Sequence, residues 1–286
     1  MGVVPFTEIA DRVWVAHQEW FALNVGLVVG RDGVVVVDTH GSGTAARTLV
    51  DDVRALGVGD VTAVVNTHEH FDHTFGNATF RDAFGAALPI HATEEAAART
   101  VASGDRSKAA YDADPDDTHR AEVLATEVVA ADQTISGVGA LDLGDRVVEL
   151  VHPGRGHTAG DLVVGVPDAG VLFTGDLVEE SGPPAYGPDC HPLEWPAALD
   201  LVLGLLTPDS IVVPGHGSVV DQAFVGAQHG DVGAVAQTIQ DLAGNGVPAE
   251  RALAEGEWPF PRDHLAEAVR RGYGQLRRDQ KRLPLA

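Results

Sequence analysis

The segment Asn66-Thr67-His68-Glu69-His70-Phe71-Asp72-His73 places three imidazoles and the Asp72 carboxylate, four potential metal ligands, soon after the apolar run Val61-Thr62-Ala63-Val64-Val65. These are the donors of a borderline divalent cation, zinc first, with iron or manganese also suited. A loop at the end of a buried strand can aim His68 and His70 at one ion and Asp72 and His73 at a second. Three later stretches repeat the arrangement: Gly156-His157-Thr158, then Val171-Leu172-Phe173-Thr174-Gly175-Asp176, then Ile211-Val212-Val213-Pro214-Gly215-His216. Each candidate donor stands beside or near a glycine that lets the backbone turn tightly and approach closely. A rigid sheet delivering ligands from several strand ends pre-organises a metal site. His68-Glu69 also opens like a metalloprotease helix, but Asp72 occupies the place of the second histidine, so that pairing fails.

Taken together, these motifs resemble the metallo-β-lactamase-fold hydrolase superfamily over roughly residues 8 to 220. Its His-x-His-x-Asp-His motif is matched by His68, His70, Asp72 and His73, and its later single ligands by His157, Asp176 and His216 in order. The run Val34 to Thr39 is similar to the family's first motif, whose aspartate, here Asp38, supports the site without binding metal. The resemblance implies that His68, His70 and His157 hold one ion and Asp72, His73 and His216 the other, with Asp176 bridging. It also implies a four-layer αβ/βα sandwich in the α/β class, with the metals at one edge of two sheets.

The elements that must position these residues are legible in outline. Arg12 to Ala16, Asn24 to Val29 and Val34 to Asp38 are short β-branched runs separated by Gly or Asp turns. Thr44 to Leu56 has helical spacing, with Ala45, Leu49, Val53 and Leu56 on one face. Leu88 to Ala92 is a further strand, and Thr93-Glu94-Glu95 caps a helix through about Ser103. Residues 104–120 are polar and turn-rich and are expected as an exposed insertion or part of a lid. Strands are expected at Thr134 to Ser136, Arg146 to Val151, Asp161 to Val166, Val171 to Thr174 and 210–213, with a helix from Glu194 to Leu206. The expected organisation is a catalytic domain over residues 1–225 and a helical C-terminal extension over 226–286 packed on it. In that extension Leu265, Val269, Tyr273 and Leu276 line up to pack on the sandwich or to form a homodimer contact, and Arg270, Arg271, Arg277 and Arg278 form a solvated face.

The chain has 286 residues, with 42 acidic against 19 basic ones and a formal charge of −23. Such a field repels phosphate backbones, so a nucleic-acid partner is not expected. A single cysteine, Cys190, rules out an internal disulfide. No run reaches the ~20 apolar residues needed to span a bilayer, and the first eight residues lack the pattern of a secretory signal. A cytoplasmic protein without membrane partners, acting on a small molecule, is the expectation.

Two divalent ions would lower the pKa of a shared water, and the hydroxide would attack an electrophilic centre, with Asp72 orienting it. The Asn66-Thr67-His68 opening, Thr74-Phe75-Gly76-Asn77 and Asp176 look most like the glyoxalase II-like and thioesterase-like branch. Lactamases of the superfamily carry cysteine or serine where Asp176 stands. Its quorum-signal lactonases carry a tyrosine soon after, which Leu177-Val178-Glu179 does not provide. The expected reaction is therefore hydrolysis of an ester, thioester or lactone. The alternatives are a mononuclear iron persulfide dioxygenase-like oxidoreductase and a β-lactamase-like amide hydrolase. Trp20, Tyr186 and His191 are the candidate substrate contacts, with Phe21 beside Trp20 in an apolar wall, while His17, His40, His91, His119, His152, His229 and His264 fit no ligand slot.

Overall fold

The computed structural model describes residues 6–280, with side chains through Leu276. Two sheets carry the fold. The first contains β1 (Phe6–Ala10), β2 (Val13–His17), β3 (Asn24–Gly30), β4 (Gly33–Val37), β5 (Val61–Val65), β6 (Ile90–Thr93) and β7 (Gln133–Ile135), adjacent in that order. Pairing is antiparallel from β1 to β4 and parallel from β4 to β7. The second contains β8 (Val138–Asp142), β9 (Val147–Val151), β10 (Val163–Val166), β11 (Val171–Glu179) and β12 (Ile211–His216), in the order β12-β11-β10-β9-β8. Only β11 and β12 pair in parallel there.

Strand alternation divides the core into layers. In β4, Val35 and Val37 face Leu150, Val164, Phe173 and Val213 of the second sheet. Val34 and Val36 face the opposite way, toward Leu49 and Val53 of helix α1 (Gly43–Leu56). Both faces are apolar, which explains why the run reads as unbroken valine. Each fully buried valine contributes about 1.5–3 kcal/mol. Helices α2 (Phe71–Thr74), α3 (Asn77–Phe84), α4 (Glu94–Ala113) and α5 (Arg120–Ala125) belong to the first half. Helices α6 (Trp195–Leu205), α7 (Gln222–Gly244), α8 (Ala249–Glu255) and α9 (Ala266–Gln280) follow in the second. The expected four-layer sandwich with C-terminal helices is what the chain forms.

The C-terminal helices join a core cluster around Trp195, Leu199 and Val202, to which Leu265, Val269 and Tyr273 contribute buried side chains. Residue 225 lies inside α7, near its start. Arg270 is exposed as expected of a solvated face, but Arg271 is half-buried and binds backbone carbonyls, and the side chains of Arg277 and Arg278 lie outside the described residues. No helix among the described residues is long and apolar enough to cross a membrane.

The 104–120 segment departs from expectation. Helix α4 runs through Gly104 to Ala113, and only the short stretch before α5 is turn. Gly104 is a packing residue: a Cβ there would lie 2.9 Å from the Phe75 ring and 3.0 Å from Val128. Its polarity belongs to the outer face of a helix whose inner face covers the metal-motif loop. Tyr111 and His119 from this segment meet the Trp20 ring.

Candidate metal centre

β5 ends at Val65, and the next eight residues fold back under a net of buried hydrogen bonds. The Asn66 amide donates to the His73 carbonyl and to Asn77, and Thr39 donates to the same carbonyl. The loop is thereby fixed before any ligand binds, with His68 and His73 buried and Asp72 at the cleft surface. From the second sheet come His157, in the loop between β9 and β10, Asp176 in β11, and His216 at the end of β12. All seven donors expected from the motifs converge, in a group of His68, His70, His157 and Asp176 and a group of Asp72, His73 and His216.

Asp176 lies between the groups. Its Oδ2 is 3.7 Å from His68 Nε2 and 3.4 Å from His157 Nε2, while its Oδ1 is 3.2 Å from His73 Nε2 and 3.3 Å from His216 Nε2. Asp72 Oδ2 is 3.3 Å from His216 Nε2 and 3.6 Å from His73 Nε2. Gly215 makes room for this carboxylate, since a Cβ there would lie 1.9 Å from Asp176 Oδ1.

Each histidine is held by one ring nitrogen and turns the other inward. His73 Nδ1 meets Asp38 Oδ2 at 2.8 Å, and His216 Nδ1 donates to the Phe21 carbonyl at 2.9 Å. His157 Nδ1 donates to the Ala185 carbonyl at 2.9 Å, and His68 Nδ1 donates to Thr67 Oγ1 at 3.1 Å. His70 is reversed: its Nε2 lies 3.4 Å from Asp189 Oδ2, and its Nδ1 lies 2.9 Å from His157 Nε2. Such outer partners fix tautomer and ring direction in metal sites. Asp38 serves two of the five rings, because it also accepts from the Thr67 amide at 2.8 Å and from Thr67 Oγ1 at 2.9 Å.

The arrangement fits a divalent cation. His68 Nε2 and Asp176 Oδ1 are buried without hydrogen-bond partners among the described residues, a costly state for polar atoms unless a cation satisfies them. Burial holds the His68 imidazole well below its usual range and His157 down to about 4, so both are neutral and carry free lone pairs. At His73 and His216 burial acts in the same direction but is outweighed by Asp176 first, and His216 is pushed up to about 12. The carboxylates thus demand positive charge at the centre, which a metal ion supplies.

The substrate-contact candidates separate. Trp20 packs against Phe21, His40, Phe71, Tyr111 and His119, with the His119 ring stacked 3.8 Å away. Its neighbour Phe21 lines a cleft of about 380 Å³ that contains His70, Asp72, His157, Asp176 and His216. Tyr186 is instead buried against Trp195, 5.0 Å between ring centroids, and His191 is turned toward Glu194 and Gln275. None of the three expected contacts, Trp20, Tyr186 and His191, lines that cleft. The 181–192 loop passes beside the donor groups, but its large side chains Tyr186 and His191 turn away, and Pro183, Ala185 and Gly187 face the cleft.

Three further residues near the site carry no signal in the sequence that assigns them a role. Asp189 holds His70 from 119 positions away, so no local spacing signals it. Glu179 can join Asp176 and His216 in a third ligand-like group, and burial followed by the Asp176 charge pushes its carboxyl up to about 7. Strand parity places it opposite Asp176, but the β11–β12 register shifts between Gly175 and Glu179 and cancels that parity. His264, between α8 and α9, also lines the cleft.

The sequence model of the Metallo-beta-lactamase superfamily matches residues 19–216. The chain is 27% identical over 233 residues to a type 2 metallo-beta-lactamase of Bacillus cereus, covering 78% of this chain and 80% of that protein. It is 25% identical over 213 residues to the acyl-coenzyme A thioesterase MBLAC2 of Bos taurus, covering 68% and 72%. Among solved structures it is similar in fold to a metallo-beta-lactamase from Pontibacter korlensis, with TM-score 0.63 at 22% identity, covering 80% of this chain and 98% of the other. The FIM-1 metallo-beta-lactamase of Pseudomonas aeruginosa in its mono-zinc form gives TM-score 0.62 at 20% identity, covering 81% and 95%. With the family match spanning most of the chain and both donor groups assembled, the protein belongs to the Metallo-beta-lactamase superfamily and is one of its metal-dependent hydrolases.

Proposed function

We propose that the protein uses two divalent ions, zinc first among them, to hydrolyse an ester or thioester of a small molecule, with a lactone as the cyclic case. The observation that carries this reading is the Asp176 carboxylate, one oxygen facing His68 and His157 and the other His73 and His216. A mononuclear oxidoreductase site needs two histidines and one carboxylate. Here a second complete group, Asp72, His73 and His216, would be left without purpose.

His68, His70, His157 and Asp176 would hold one ion, and Asp72, His73, His216 and Asp176 the other. When bound, the ions would polarise the substrate oxygen and make water acidic enough to attack at neutral pH. The remaining work falls to the chain. Asp72 reaches the cleft surface, where its carboxylate can accept a hydrogen bond from the attacking water and set its direction. Phe21, Pro183 and Ala185 give the cleft an apolar side suited to an acyl group. An alkoxide or thiolate leaves with little protonation, whereas an amide nitrogen requires a proton donor, and this favours esters and thioesters. Similarity to an acyl-coenzyme A thioesterase supports the same choice.

Amide hydrolysis of β-lactams is a second reading, favoured by the 27% identity to the Bacillus cereus enzyme. Elemental analysis of protein purified without added metal, together with a panel of esters, thioesters, lactones and β-lactams, tests both. The expected result is about two metal ions per chain, thioester or ester turnover, and a fall in both metal content and turnover in His70→Ala. One iron per chain with oxygen uptake would overturn the hydrolase reading, and turnover confined to β-lactams would establish the second.

A further inference from the structure

Outside the metal cleft, a cavity of about 490 Å³ opens where α9 meets the start of α6. Its lining includes Arg155, Arg270, Arg271, His191 and Gln275, with Glu194 as its one carboxylate among the described residues. The chain has 19 basic residues against 42 acidic ones, so three arginines facing one acid reverse the local charge balance. We propose that this cavity binds a small phosphate-bearing anion.

The pairing within the cavity supports the assignment. Arg155 donates through Nε and Nη2 to one oxygen of Glu194. Arg270 pairs with Glu267, which stands on the same helix and does not line the cavity. Arg271 meets no carboxylate among the described residues. Its Nε donates to the Cys190 carbonyl at 2.8 Å and its Nη2 to the Asp189 carbonyl at 3.3 Å. These two bonds aim a half-buried guanidinium at the cavity while leaving its charge unneutralised. Among the described residues, three guanidiniums against two carboxylates leave one net positive charge, before His191 and the Gln275 amide are added as neutral hydrogen-bonding groups. A planar fork on a fixed stem suits phosphate geometry better than a mobile ammonium does, and none of these three positions is a lysine.

None of the residues lining this cavity lines the metal cleft. The anion is therefore not the reacting end of the substrate but an effector or a remote group. The two cavities are nonetheless close in sequence and structure, for Arg271 grips the carbonyl of Asp189 while that residue's carboxylate meets His70.

The test is a titration of the metal-loaded protein with inorganic phosphate, followed by backbone amide NMR shifts. Phosphate can also meet the metals, so the location of the shifts decides. Binding at the cavity should move the amides of Leu193, Arg271, Gly274 and Gln275 with a common saturation curve. Arg270→Gln, a change on an exposed helix face, should weaken that curve by roughly tenfold, about one charge-assisted hydrogen bond. Arg270→Lys should restore part of the loss. Shifts confined to residues around His70 and Asp176, or a non-saturating drift showing an adventitious ion only, would overturn the proposal. An unchanged curve in both Arg270→Gln and an Arg155→Gln/Arg270→Gln pair would do the same.

Discussion

The two halves of the metal centre are built on different plans. The first sheet delivers His68, His70, Asp72 and His73 on one loop, locked by Asp38, Asn66, Thr67 and Asn77. The second delivers His157, Asp176 and His216 singly, from the β9–β10 loop, from within β11 and from the end of β12, and two of their outer partners are only backbone carbonyls, Ala185 and Phe21. The first half is a rigid template whose geometry is set locally by side-chain hydrogen bonds. The second depends on the sheets docking correctly, because Ala185 and Phe21 belong to distant loops. Asp176 turns one carboxylate oxygen toward each group, so it is where the plans are joined.

That difference ranks the ligands. Asp176→Ala should empty both metal positions, whereas His70→Ala should directly remove a donor from one group alone. The expected loss in kcat/KM for Asp176→Ala is on the order of 10³ or more, several kcal/mol of transition-state stabilisation. Metal per chain, measured by elemental analysis after dialysis, separates the variants. Retention of one full equivalent in Asp176→Ala would show that the two groups hold metal independently and break the comparison.

The rigidity of the first half has a thermodynamic signature at His40, which follows Asp38 in a turn where both residues have positive φ, 63° and 85°. Burial holds the His40 imidazole down to about 4, and its Nδ1 accepts the Gly41 amide at 2.7 Å, which requires the neutral ring. The unfolded chain protonates this residue near pH 6.5, so between about pH 6.5 and 4 it binds more protons than the folded one. Stability from this group is complete above pH 6.5 and falls as the pH drops, by up to about 3 kcal/mol at pH 4. His40→Asn, which keeps an acceptor and tolerates positive φ, should show a flatter stability profile in urea unfolding over that window. Equal slopes for the two proteins would mean that the turn opens and protonates without unfolding.

The same contrast explains what could be seen in the sequence. Val34 to Asp38 and Val61 to His73 are legible because strand, turn and ligands are contiguous, and the buried alternation of β4 follows from its unbroken valines. His157, Asp176 and His216 are marked by neighbouring glycines and apolar runs, a weaker signal that gains force only in combination. Residues whose partners are remote were not legible. Tyr186 lies in a loop whose polarity points outward, yet its ring packs on Trp195. Gly104 looks like a helix stop, yet it is where α4 lies against Phe75. Asp189 has no pattern of its own and gains its place only when α4 and α9 approach it through Arg106 and Arg271.

Among the outer partners, Asp38 should matter more than Asp189. Asp38 accepts three hydrogen bonds and is buried, while Asp189 meets His70 at 3.4 Å and shares its carboxylate with Arg106. Asp38→Ala should cost about 10–100-fold in metal affinity, the usual range for such partners. Asp189→Ala should fall at or below the low end of that range, as measured by competition with a chromophoric chelator. The reverse order would mean that the first half's loop relies on the remote Asp189 more than on its own local template.

The smallest effect is expected at Phe21, the residue that touches both plans. Its carbonyl holds His216 while its ring, 46% exposed, stands at the cleft. Phe21→Ala retains the carbonyl and removes only the apolar surface, so metal content should stay at the wild-type level. If the acyl group of the substrate rests on that ring, about 1 kcal/mol of apolar contact is lost, roughly a fivefold rise in KM with little change in kcat. The effect should grow with acyl chain length in a homologous series of thioesters. A drop in metal content instead would place the contribution of Phe21 in its backbone, whose φ of 64° the ring's packing against Trp20 and Phe71 then maintains. The second half of the centre would in that case rely on side-chain packing as much as the first relies on hydrogen bonds.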